Sequence, residues 1–240
     1  MYSSASHTRY VVTHSGNGQQ ILSQFQSSLT SYNINLDMSL TEPLTSGQQM
    51  ILQRLIASHV LTHEEIVKIY DDVNDTKDFR SAEDCFRSIN KQLKAGFGLE
   101  IVSVSIAGTK YHAVVNLHAD DEIAKISFMQ ILPPVDREYI RKVLEALVQD
   151  DNGTTNRMSL INLRNDLDPK FKITIQDAER CLDMMISEHW LGFNEDKENR
   201  RASLNKTEYV IGPRSYLELR QLLEDFGLED LPQCIYYRST

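Results

Sequence analysis

The residues able to do chemistry in this chain are few and scattered. Its three thiols, Cys85, Cys181 and Cys234, are odd in number and far apart. That fits a reducing compartment and excludes a disulfide framework. A structural zinc site needs four ligands held at fixed distances, and Cys234, in the closing stretch LPQCIYYRST, has no second cysteine or histidine beside it. His59 and His63 stand four apart, and HEEI resembles a zincin fragment. The second histidine of H-E-x-x-H is absent, however, and Thr62 breaks the helix between the two imidazoles. His112 and His118 share one face of a strand without a carboxylate or cysteine partner in sequence, so a structural role is expected of them. No Ser-His-Asp or Cys-His order and no glycine-rich phosphate loop stands out. The candidates for a phosphate or DNA contact are Arg87, Lys91 and Lys94 on one helix and Lys110 in the turn after it. Ser203 follows Arg200 and Arg201 in NRRASL, an order that basophilic kinases read, and phosphate there would add roughly two negative charges. Trp190, the only tryptophan, sits where a helix meets a strand and is a candidate partner anchor.

The elements that must position these groups begin after an atypical leader. Residues 1–42 hold nine Ser, four Thr, four Gln and three charged side chains, with no sustained apolar period, so a mostly disordered leader is expected. The N-terminus does not read as a signal peptide, and no apolar run approaches the length needed to span a bilayer. The net charge of −9 argues against a free-standing, high-affinity nucleic-acid binder.

From residue 43 the helical period sets in. Ile51, Leu52, Leu55, Ile56 and His59 share one face, and Thr62 with Glu65 opens a second helix that turns Ile66 and Ile69 inward. Ser81 and Asp84 open a third, striped by Cys85, Phe86, Ile89 and Leu93, with Gly96 as its expected stop. The period then switches to two. Val102, Val104 and Ile106 alternate with serines, a turn follows at 107–110, and Tyr111, Ala113, Val115 and Leu117 alternate on the return. Three helices and a hairpin are the order of a winged-helix unit.

The order comes round again after roughly 90 residues. Ile140, Val143, Leu144 and Leu147 stripe a helix behind Pro133 and Pro134, and Leu160, Leu163 and Leu167 stripe a shorter one. Thr174 and Asp177 open a third, expected to bury Ile175, Ala178, Cys181, Leu182, Met185 and Ile186. WLGF and TEYVIG read as the strands of a second wing. Pro213 starts a last helix with Tyr216, Leu219, Leu223 and Phe226 on one side. The expected division is a leader over 1–42, winged-helix domains over 43–130 and 131–212, a terminal helix over 213–228 packed on the second domain, and a tail over 229–240. The fold class is mainly α with small β-hairpins (α+β).

YHAVVNL at 111–117, the run from SLINLRNDL to ISEHWLGF, and YVIGPRSYLELRQLLEDF at 209–226 resemble one family. It is the RING-bearing first non-SMC element of the SMC five–six complex, and the likeness covers about 45–234. The resemblance implies tandem winged helices that bind a MAGE-type subunit and, with the kleisin subunit, bridge the SMC heads. It also implies a nuclear, chromosome-associated role in recombinational DNA repair. Family members continue into a zinc-binding RING with ubiquitin-ligase activity. Here Cys234 falls at the first cysteine of the opening Cys-x-x-Cys and Tyr237 at the second, so zinc is expected in full-length members and no cofactor in this chain. A ubiquitin-conjugating enzyme is an expected partner only where a RING is present, DNA is met indirectly through the complex, and no membrane is involved.

Two alternatives follow from the same residues. One is a winged-helix DNA-binding regulator, against which the acidic third helix of the second unit speaks: Asp177, Glu179, Asp183 and Glu188 face Arg180 alone. The other is a complete ligase whose RING is lost from this sequence.

Overall fold

A computed structural model of the protein describes residues 44–73, 79–116, 132–194 and 208–237. The expected leader, His118, and Ser203 with its two arginines lie outside those residues.

The first helix, α1 (Ser46–Ser58), begins because Thr45 and Gln48 cap each other: the Thr45 hydroxyl accepts from the Gln48 amide, and Gln48 Oε1 accepts from Thr45 N. Gln48 is buried and donates from its side chain to Ser88 Oγ at 2.9 Å, tying α1 to a later helix. After His59, at φ 60, comes a short strand, β1 (Val60–Thr62). The Thr62–Glu65 box then starts α2 (His63–Val73). Ser81 accepts from Asp84 N and starts α3 (Ala82–Phe97). That helix runs through Gly96 and stops at Gly98, whose left-handed φ of 63 lets its N–H reach Leu93 O. Gly96 is therefore not the stop; the residue that can adopt the cap conformation two positions later is.

The hairpin consists of β2 (Leu99–Ile106) and β3 (Thr109–Asn116), registered so that Val102 faces Ala113 and Val104 faces Tyr111. Its turn is Ala107–Gly108 alone, both at positive φ, the backbone that suits the twist of a two-residue hairpin. Lys110 consequently belongs to the strand.

The second module repeats the plan with α4 (Pro134–Gln149), β4 (Thr155–Asn156), α5 (Arg157–Asn162) and α6 (Ile175–Ser187). Its wing is β5 (Leu191–Phe193) with β6 (Glu208–Ile211), and the sheet order is β4–β6–β5. Tyr139, Leu144, Leu147, Leu160, Leu182 and Trp190 are the heart of its core. Ile175 is not part of it. As the first residue after the Thr174 cap it projects outward and is 53% exposed.

The chain then departs twice from the expected ending. The last helix is two short ones, α7 (Pro213–Glu218) and α8 (Arg220–Asp225), separated at Leu219 where φ is −114. α8 packs in the second core through Leu222 and Leu223, whereas α7 sends Leu217 onto the first module's sheet against Val60, Val102, Val104 and Ala113. The terminal helix thus packs on both modules. Residues 234–236 are not a loose tail: β7 (Cys234–Tyr236) pairs antiparallel with β2, making a four-stranded sheet of order β1–β3–β2–β7.

The first sheet is consequently buried on both faces. Ile101 and Val114 meet the helices of their own module, while Val102, Val104, Ala113, Tyr111 and Val115 meet α7 and Cys234. The alternating apolar stripe of the hairpin is the seam between modules, not the module's own core.

Candidate functional site

Two polar clusters flank that sheet, one on its first-module face and one at the seam with α7. The first is built around Tyr237, 5% exposed, just beyond β7. Strand pairing of Val102 with Tyr236 and Val104 with Cys234 turns the next side chain into the first module. There its hydroxyl donates to Ser103 Oγ at 3.0 Å and lies 3.4 Å from His112 Nδ1. His112 Nε2 is 3.2 Å from His63 Nδ1. His63 Nε2 is 3.9 Å from Glu83 Oε1, which Lys110 Nζ approaches to 3.4 Å. With Tyr237 donating to Ser103, a proton on His112 Nδ1 is donated to the Tyr237 oxygen, and His112 Nε2 accepts from His63 Nδ1. The Tyr237 ring meets Phe86 edge-on at 5.2 Å and stacks on His112 at 6.1 Å. Asn90, 1% exposed, pairs its side-chain amide with both Ile101 N and Ile101 O, at 2.7 and 2.9 Å, and reaches Tyr237 O at 3.5 Å. In effect Asn90 supplies a rung that a neighbouring strand would otherwise make.

Burial, reinforced by the nearby Lys110 and His63, pushes His112 down to about 3, so its imidazole is neutral. Glu83 is held below its ordinary value although partial burial opposes this, because its own backbone amide and Lys110 favour the charged form.

The second cluster centres on Arg214 at the start of α7. Its guanidinium lies 4.3 Å from the centroid of Trp190, donates from Nε to Glu218 Oε1 at 2.9 Å, and donates from Nη1 to Glu188 Oε2 at 2.7 Å. Glu188 also meets His59 Nε2 of the first module at 3.2 Å. Burial raises Glu218 above its ordinary value against the pull of Arg214, and burial with Arg214 lowers His59. Gly212 lets the backbone pass: its N–H donates to Trp190 O at 2.9 Å, and a Cβ there would fall 2.3 Å from His189 O.

The remaining sequence candidates are placed as follows. Trp190 is 1% exposed beneath Arg214, so its ring is a core residue and offers a partner no surface. Arg87 pairs with Asp84, Lys94 with Glu100 at 2.5 Å and Lys110 with Glu83, while Lys91 is exposed. Three of the four cations are thus already matched by acids. On α6, Asp183 is bound by Arg157 at 2.8 Å and Asp177 by Arg180 at 3.4 Å. The thiols of Cys85 and Cys181 are pushed up to about 12, chiefly by burial. Cys234 is half-buried, with Arg220 Nη1 3.6 Å from its sulfur. Among the described residues no group of three ligating side chains gathers around it.

Sequence reasoning gave no role to Asn90 or Arg214, read Glu188 only as part of an acidic helix, and read Tyr237 only as the place of an absent cysteine. Each acts through a residue far away in the chain, and the only local signal was the two-residue period of Cys234 and Tyr236, too short to read as a strand.

A family model described as "Nse1 non-SMC component of SMC5-6 complex" matches residues 48–219. The "Non-structural maintenance of chromosomes element 1 homolog" of Xenopus laevis is 30% identical over 105 residues, 43% of this chain and 37% of that protein. The matched stretch is thus a little over a third of the length of that curated relative. Among solved structures, a chain of the "Nse1-Nse3-Nse4 complex" is similar with a TM-score of 0.61 and 21% identity, over 77% of this chain and 78% of that one. The chain belongs to the family of Nse1 non-SMC components of the SMC5-6 complex.

Proposed function

We propose that this member of the Nse1 family is an architectural subunit. In this reading its tandem winged-helix-like body docks a MAGE-type subunit and a kleisin subunit within the SMC5-6 complex, in the nucleus and in the service of DNA repair. The observation that carries the reading is the welding of the two modules: α7, Leu217 and the Arg214–Glu188–His59 bridge make one body from two units. A rigid pair of modules presents a composite surface in fixed geometry, which a docking subunit needs and which favours binding by reducing the ordering cost on association. The likeness to a chain solved in a complex with Nse3 and Nse4 supports the same partners.

The test is direct. Mixed with the MAGE-type and kleisin subunits, the chain is expected to elute with them as one species. Separate elution of all three at micromolar concentration would overturn the proposal. DNA enters this reading through the assembly, and ubiquitin transfer enters only with a zinc-folded domain towards which Cys234 supplies a single side chain.

A further inference from the structure

We infer that the β2 edge and the pocket behind it form a docking site for an extended segment anchored by a tyrosine, occupied in cis by Cys234–Tyr237 as a reversible latch. This inference stands independently of the proposed partners.

Much of the site is held by groups other than its occupant. With Tyr237 in place, Ser103 and His112 are 0% exposed and Asn90 is 1% exposed. Asn90 is held by its two bonds to Ile101, and His112 by its contact with His63. Phe86, at 5.1 Å from the His112 ring, closes the pocket floor from α3. A vacated pocket would therefore keep its shape and present polar groups positioned for a phenol, with Lys110 over the ring at 5.5 Å.

The occupant is held lightly by comparison. Only Val102, Ser103 and Val104 of the eight β2 residues pair with β7. Ile235 and Tyr236, on opposite faces of β7, are each 43% exposed. The connector from α8 turns at Gly227, at φ +100, and is tethered by Arg220 Nη1 donating to Pro232 O at 2.7 Å. A three-residue strand with one buried anchor opens at far lower cost than the module beneath it. What it uncovers is a strand edge plus a side-chain pocket, the two elements by which an extended peptide is bound and selected.

The experiment uses the whole chain. Hydrogen exchange on the wild type should show the amides of β2 and β7 that face each other opening together, at least ~10-fold faster than those between β2 and β3. Exchange of both sets only through global unfolding overturns the latch. A labelled peptide of residues 231–238 should bind the Ile235→Pro chain, in which proline blocks the cis strand. Binding to the wild type should be at least ~10-fold weaker, because the tethered segment competes at high effective concentration. The same peptide with Tyr237→Phe should bind the variant about fivefold more weakly, for want of the hydroxyl. Equal binding to wild type and variant, indifference to the tyrosine, or no binding to the folded variant each overturns the site. Were the variant unfolded, the wild-type exchange pattern would still decide.

Discussion

The Tyr237 hydroxyl donates to Ser103 Oγ across 134 residues of chain, so the last of the described residues reaches back to the hairpin of the first module. Both groups are buried, and each would be left without that partner if the other were removed. Tyr237→Phe and Ser103→Ala are each expected to cost about 1–2 kcal/mol in urea denaturation. The double variant should lose less than the sum, because the second change removes a group already unpaired. Strict additivity would show that the two do not interact.

The Tyr237–Ser103 bond also marks the limit of what could be read in advance. The helices were legible because their caps and stripes are local: Thr62 with Glu65, Ser81 with Asp84 and Thr174 with Asp177 each start a helix in the structure. The hairpin was legible from its two-residue period. What that stripe packs against was not, since Val102 and Val104 are buried by Leu217 and Cys234 from more distant sequence. Ile175 shows the converse error, an apolar residue in phase with the stripe that the helix start turns outward. Cys234 as a ligand position came from resemblance, and the residues that now surround it, Arg220 and Val104, lie in other elements.

His112 makes stability depend on pH. Folded, it takes a proton only near pH 3, against an ordinary value of 6.5. The unfolded chain therefore binds more protons below about pH 6.5, and stability falls as pH drops from there toward 3. Each unit costs up to about 1.4 kcal/mol, so about 2 kcal/mol should be lost between about pH 7 and pH 5. His63, Glu83, Lys110 and Tyr237 face the ring, and His59 adds a smaller slope of the same sign. His112→Gln should flatten the curve while lowering its plateau. An unchanged slope in thermal unfolding across this range would assign the dependence elsewhere.

Arg214 is the costliest charge to remove. At 4% side-chain exposure it is bound by Glu188 and Glu218, and Glu218 is 15% exposed. Arg214→Ala strands a buried carboxylate and should cost about 3–5 kcal/mol. Arg214→Ala with Glu218→Gln should recover part of that loss, because the stranded charge goes with its partner. Lysine is a poor substitute, since one ammonium replaces neither the two-sided fork nor the stacking on Trp190. A chemical-denaturation series over these variants checks the order, which fails if the single and double variants are equally stable.

Two glycines should respond in opposite senses to the same substitution. Gly96 lies inside α3 with open space where a Cβ would stand and no positive φ. Alanine there reduces the freedom of the unfolded helix and should stabilise by about 0.5–1 kcal/mol. At Gly212 a Cβ would lie 2.3 Å from His189 O and 2.8 Å from Trp190 C, both of them backbone. Relief there requires the wing and α7 to part, which disturbs Arg214 N to His189 O and Ser215 Oγ to Trp190 O together. Gly212→Ala should therefore destabilise by at least about 3 kcal/mol and weaken the grip of α7 on the first module. Denaturation midpoints of the two variants provide the measurement, and a neutral Gly212→Ala would show that the junction is looser than its contacts imply.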